Sequence, residues 1–175
     1  PEALSLSSST VSRRLIRASE KKLRTLMERR LEKYDFIALL LDGKKFGDDG
    51  ILVALGITMT GEKVMLGIIE SDTENHVVCR DFLRRLIDRG LGYREGLLVV
   101  IDGAKGFRKE ISEVFGKYGV VQRCQWHKRE NVVSYLSKKL QDEYRRKLQA
   151  AYELDDCADA RKALLAIRKE LCRIN

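Results

Sequence analysis

Phe36-Ile37-Ala38-Leu39-Leu40-Leu41-Asp42-Gly43 and Leu97-Leu98-Val99-Val100-Ile101-Asp102-Gly103 share one pattern, an apolar run that breaks at Asp-Gly. Each run suits one buried strand and is too short for an ordinary helix. An aspartate that leaves a buried strand where the chain turns stands at the rim of a sheet. Two such carboxylates on neighbouring strands form an oxygen-rich site suited to Mg²⁺ and phosphate chemistry. The same dipeptide is also a turn signal, because Asp bonds local backbone and Gly accepts positive φ. The two contexts differ. A further strand pattern follows Asp42 and a helical pattern follows Asp102, so neither corner reads as a tight hairpin.

Outward from these runs, Ile51 to Ile57 and Val64 to Ile69 read as strands around a turn at Thr60-Gly61-Glu62-Lys63, completing an antiparallel meander. Ser71-Asp72-Thr73-Glu74 is rich in helix caps and precedes Val78, Phe82, Leu83, Leu86 and Ile87 at helical spacing, stopped by Gly90 and Gly92. After Asp102 a helix carrying Phe107, Ile111, Val114 and Phe115 closes at Gly116 and Gly119, and Val120 to Arg123 form a short strand. From Gln125 onward the pattern is helical, with Asp155-Asp156 placed to cap a last helix. Once helices cross over, the later strands join the sheet in parallel with the first, which makes the two Asp-bearing strands neighbours.

The first segment has two readings. Ser7 to Thr10 offer helix caps ahead of Val11-Ser12-Arg13-Arg14-Leu15, which reads like the recognition helix of a helix-turn-helix module. Leu15, Leu23, Leu26 and Leu31 equally suit a plain amphipathic helix packed on the core.

The 175 residues suffice for one ordinary domain with a modest appendage, and no apolar run approaches a membrane span. The start, without Met or a secretory pattern, reads as a piece of something longer. Charge is uneven. Residues 1–34 carry nine Lys/Arg against four Asp/Glu, residues 35–120 carry twelve against fourteen, and residues 121–175 carry thirteen against eight. An acidic middle between basic flanks suits a metal-binding core with polyanion-binding arms, or else basic helices with solvated faces. The four cysteines, Cys79, Cys124, Cys157 and Cys172, are scattered, which favours a reducing compartment over a disulfide framework. Cys124 and His127 have ligand-like spacing, but only His76 is left as a second histidine, so a structural zinc lacks its other pair.

Leu41-Asp42-Gly43, Val100-Ile101-Asp102-Gly103-Ala104-Lys105-Gly106 and Gln122-Arg123-Cys124-Gln125-Trp126-His127-Lys128-Arg129-Glu130-Asn131-Val132 together resemble bacterial insertion-sequence transposases of the Mutator type. The resemblance covers nearly the whole chain and includes the Val11-Ser12-Arg13 helix. It implies an α/β, ribonuclease H-like mixed sheet, three antiparallel strands and then parallel ones, with flanking helices and an all-helical insertion that begins near the C-terminus and is incomplete. The expected divisions are a basic helical segment over 1–34, a remnant of a helix-turn-helix region, a catalytic core over 35–124, and a helical segment over 125–175. Asp42 and Asp102 match the family's first two catalytic acids, which hold two Mg²⁺ (or Mn²⁺) ions for cleavage at the transposon end and for strand transfer. Cys124 and His127 match its Cys-x-x-His signature. His127 then steers a phosphate or a proton, and Cys124 serves there or as a packing thiol. Trp126 stacks on an unpaired base or anchors its helix to the core, the anchor being favoured. Arg129 and Asn131 are phosphate-contact candidates, as are Arg13 and Arg14 on the first helix. Lys44, Lys45 and Lys105 flank the acids and neutralise phosphates or simply solvate a loop.

The implied partners are the transposon's terminal inverted repeats and target DNA, with an oligomer of the chain assembled on them in the bacterial cytoplasm, at the nucleoid. The family also needs a third acid, a glutamate beyond the helical insertion. Glu130 and Glu153 lie outside that context, so the chain reads as a truncated catalytic domain with two of three acids. Two other readings stay open. A ribonuclease H-like nuclease would share the acids, and a non-catalytic DNA-binding derivative of a transposase would keep the basic flanks.

Overall fold

The computed structural model describes residues 8–46, 49–70, 76–103 and 105–174. Along the chain come α1 (Ser8–Glu28), β1 (Phe36–Phe46), β2 (Asp49–Thr58), β3 (Lys63–Glu70), α2 (His76–Asp88), β4 (Leu97–Ile101), α3 (Lys105–Phe115), β5 (Gly119–Arg123), α4 (Gln125–Ser134), α5 (Lys138–Tyr152) and α6 (Cys157–Ile174). The chain divides into two compact units, Pro1–Gln122 and Arg123–Asn175. The cap candidates Ser7 and Ser71 to Glu74 lie outside the described residues.

The sheet has strand order β3-β2-β1-β4-β5. β1 pairs antiparallel with β2 and β2 with β3, whereas β1 and β4 run parallel. This α/β mixed sheet agrees with the ribonuclease H-like arrangement expected from the order of elements. The meander builds one half, and α2 carries the chain across so that β4 lands beside β1. One face of the sheet is the core. Leu39, Leu41, Val99 and Ile101 are buried with Cys79, Phe82, Leu83 and Leu86 of α2 and Phe107, Ile111 and Phe115 of α3. Burying each large apolar side chain contributes about 1.5–3 kcal/mol. Gly67 keeps β3 open to this packing, since a Cβ there would lie 2.9 Å from the Phe82 ring and 3.0 Å from Met27 Sδ.

β1 corrects one expectation. Asp42-Gly43 is not a turn: the ladder with β2 continues through Asp42↔Val53, Gly43↔Leu52, Lys44↔Ile51 and Lys45↔Gly50. A partner strand of matching length satisfies these backbone groups, which outweighs the local turn preference. The reversal comes after Phe46. At Asp102-Gly103 the turn does form, with β4 ending at Ile101 and Gly103 at φ +107°, a conformation that favours glycine.

The first helix packs on the core through its C-terminal end. Met27 and the following Leu31 join the core, whereas Leu15, Ile16 and Leu23 are exposed. The C-terminal end of α1 is held by Arg89, only 8% exposed. Its Nε donates to Arg29 O at 2.9 Å, Nη1 to Leu66 O at 2.8 Å and Nη2 to Leu26 O at 2.8 Å. The Leu26 and Arg29 carbonyls belong to the end of the helix, where intrahelical partners run out and a cation is favoured. Burial, and then the neighbouring Arg29, lower the Arg89 pKa from its ordinary value. Lys138–Tyr152 and its neighbours in the second unit enclose a smaller core of Val133, Leu136, Tyr144, Leu148, Ala151 and Ile167. The expected cap of the last helix is present, with Asp159 N donating to Asp156 Oδ1 at 2.9 Å.

Replacing the guanidinium strands three carbonyls at once. Arg89→Met is therefore expected to lose about 3 kcal/mol of stability in urea unfolding, and Arg89→Lys to recover only part of it, because one ammonium cannot reproduce the planar fork. Unchanged unfolding midpoints would refute this account of how α1 is held.

Candidate active site

The parallel ladder pairs Ala38↔Leu98, Leu39↔Val99, Leu40↔Val100 and Leu41↔Ile101. Asp42 continues β1 one residue past this last rung, and Asp102 is the first residue after β4, on neighbouring strands about 4.8 Å apart. Side chains alternate along a strand. With Leu39, Leu41, Val99 and Ile101 turned to the core, Asp42 belongs to the opposite face of β1, in line with the half-buried Leu40. β4 stops there while β1 continues beside β2, so the acids stand at a step in the sheet. Both are half-buried, and Lys44 Nζ lies 3.3 Å from Asp42 Oδ2. Among the described residues no group of three His, Cys, Asp or Glu side chains gathers at metal-binding distance.

Sequence reasoning missed a buried acid elsewhere in the first unit. Glu110 of α3 is buried, with Oε1 3.2 Å from Nδ1 of the more exposed His76 at the start of α2. Burial, and then the Glu110 charge, push the nearby Cys79 thiol up to about 12. The signal was available, since Glu110 falls on the same helical stripe as Phe107, Ile111 and Val114.

The signature residues belong to the second unit. Cys124 stands at the N-cap of α4 without a side-chain capping bond, and it and His127 are half-buried. Trp126 is 53% exposed, its ring edge-on to His127 with centroids 4.8 Å apart. The Arg129 side chain is 12% exposed and engaged by Glu130, at 2.9 Å, and by Gln149 Oε1, and so ties α4 to α5. Glu130 also pairs with Arg145, at 3.3 Å. Burial acts to raise its pKa, but the hydrogen bonds and charges of Arg129 and Arg145 outweigh this and hold it below the ordinary carboxyl value. Glu153 follows α5 and accepts from Gln149 Nε2 at 2.6 Å. Asn131 is exposed, as are Arg13, Arg14 and Lys45, and Arg13 Nε donates to Ser9 O at 3.3 Å. The Lys105 side chain lies outside the described residues. Among the described helices none is long and apolar enough to cross a membrane.

The family model for transposases of the Mutator family matches residues 2–173, and the chain belongs to that family. It is 32% identical over 166 residues to the transposase for insertion sequence element ISRM5 of Rhizobium meliloti (strain 1021), covering 90% of this chain and 40% of the relative. It is 32% identical over 169 residues to the transposase for insertion sequence element IS6120 of Mycolicibacterium smegmatis, covering 93% and 50%. Over 111 residues it is 30% identical to the transposase for insertion sequence element IS256 in transposon Tn4001 of Staphylococcus aureus, covering 63% and 28%. The chain thus spans no more than half the length of these curated relatives.

Because the folded state holds the Glu130 carboxyl low, the stability it confers is present above the ordinary carboxyl pKa and is lost as pH falls through the depressed value. Glu130→Gln is expected to be less stable than the parent at neutral pH and to lose less on acidification from about pH 5, read by circular dichroism during urea unfolding. Parallel pH profiles for the two proteins would contradict the pairing.

Proposed function

We propose that this chain is part of the catalytic region of a DDE-type transposase, with Asp42 and Asp102 as two of its metal-binding acids. The observation that supports the reading is the β1–β4 register, whose last rung, Leu41↔Ile101, is followed on each segment by an aspartate. The donor set fits the group it would hold: two hard, anionic oxygen donors suit Mg²⁺ or Mn²⁺. Two such ions would supply charge stabilisation to the attacking and leaving oxygens when a phosphodiester is cut and rejoined. The chain's own part is to fix the carboxylates. The antiparallel ladder with β2 holds the backbone at Asp42, and Asp102 leads into the turn at Gly103. Lys44 balances the Asp42 charge and is placed to turn to a phosphate. His127 serves as the second unit's proton or phosphate group, with Cys124 beside it in the signature. DNA, as transposon ends and target, is the partner, met by the basic flanks including Arg13 and Arg14, with an oligomer of the chain formed on it in the cytoplasm.

A second reading, a binding module without chemistry of its own, draws on the lack of a three-ligand group among the described residues. Titration with Mn²⁺ followed by calorimetry separates the two. Catalytic use of the pair requires binding that disappears in Asp42→Asn and in Asp102→Asn with the fold intact. Terminal-repeat DNA binding with no Mn²⁺ uptake by the parent chain would favour the binding module. Mn²⁺ binding that survives both substitutions would remove the metal assignment.

A further inference from the structure

The second unit carries an open groove of about 450 Å³ lined by Arg123, Lys128, Asn131, Val132, Tyr135 and Leu171, among others. Its volume falls in the range that small ligands occupy. Lys128, Asn131, Val132 and Tyr135 follow one another at i, i+3, i+4 and i+7, so one face of α4 supplies most of the wall. α4 thereby divides its work. Arg129 and Val133 turn to α5 and the small core, while Lys128, Asn131 and Tyr135 are left to solvent. Tyr135 is 86% exposed at the end of that helix, and Val132, Leu136 and Leu171 give the groove its apolar lining. No acidic residue is among those that line it.

We infer that this groove binds an unpaired nucleotide of a single-stranded segment, with the base stacked on Tyr135 and the flanking phosphates held by Arg123 and Lys128. A flat exposed ring, an apolar lining, an amide able to donate and accept at a base edge, and cations at the border are the parts that such recognition combines. The charge balance points the same way, since residues 123–175 carry thirteen Lys/Arg against eight Asp/Glu. A duplex offers phosphates but no free base face, so the ring distinguishes a single strand from paired DNA. The inference rests on the proposed function only in taking DNA as the partner, and it does not use Asp42 or Asp102.

The test is fluorescence anisotropy on the full chain with a labelled oligothymidylate, its duplex with oligoadenylate, and a polyglutamate peptide as a competitor that has charge but no bases. Tyr135→Ala is expected to weaken the single strand about tenfold or more, Tyr135→Phe to keep its affinity, and duplex affinity to change far less. Lys128→Ala is expected to lower the slope of log affinity against log salt by about 0.7. Tyr135 is exposed, so circular dichroism of the variants should match the parent. Binding indifferent to Tyr135→Ala, equal losses on single strand and duplex, or polyglutamate competing as well as the oligonucleotide would overturn this groove assignment alone. A parent chain that binds no nucleic acid overturns the DNA partner as well.

Discussion

The parallel pairing of β1 with β4 is the constraint on which the first unit depends. Leu41↔Ile101 is its last rung, and the rung is held because each strand's inward residues are locked against Phe82, Leu86 and Ile111. A slip of one residue would turn Val100 inward and carry an aspartate into the core. An ionised carboxylate cannot be accommodated there without a partner. The apolar pattern therefore sets the register, which brings each strand to its aspartate at the same level. The long β1–β2 ladder adds the other half, because it keeps the backbone extended and paired with β2 through Asp42, where a turn would have ended the ladder.

Buried charge does the fastening at the margins of the apolar cores. Arg89 has no carboxylate among its bonded partners and holds three carbonyls instead, so its role is geometric: it closes the end of α1 and ties it to β3. Arg129, Glu130 and Arg145 do the equivalent in the second unit, where the core is small and a charged network joins α4 to α5. Pairs of this kind add little net stability compared with well-packed apolar groups, but breaking one leaves a charge uncompensated. They fix orientation. For α4 the result is a helix whose inward face is settled by ions and Val133, which leaves its outward face to Lys128, Asn131 and Tyr135.

Membership of the Mutator family joins the two units in one sequence family without making the chemistry of each the same question. In the first unit the proposed chemistry rests on two carboxylates on adjacent strands. In the second the signature residues are less uniform than their spacing suggests. Within the four residues from Trp126 to Arg129, one ring is half in solvent and one guanidinium is almost fully engaged. Residues that stand together in a motif share a helix, and a helix has both an inner and an outer side.

The sequence by itself determined the strand runs, their order, the crossover that makes the Asp-bearing strands neighbours, the Asp156 cap and the helical second unit. These follow from apolar periodicity and local turn chemistry, which act over a few residues. Tertiary structure alone decided that Asp42 lies within a strand and Asp102 at the end of one, because the length of β2 governs how far β1 continues. It also decided that Arg89 and Glu110 are buried, that Arg129 is engaged and that Trp126 and Tyr135 are exposed. A charged or aromatic side chain is sorted by the partners that reach it across the fold, and those partners, Leu66 for Arg89 and Gln149 for Arg129, stand some twenty residues away in the chain.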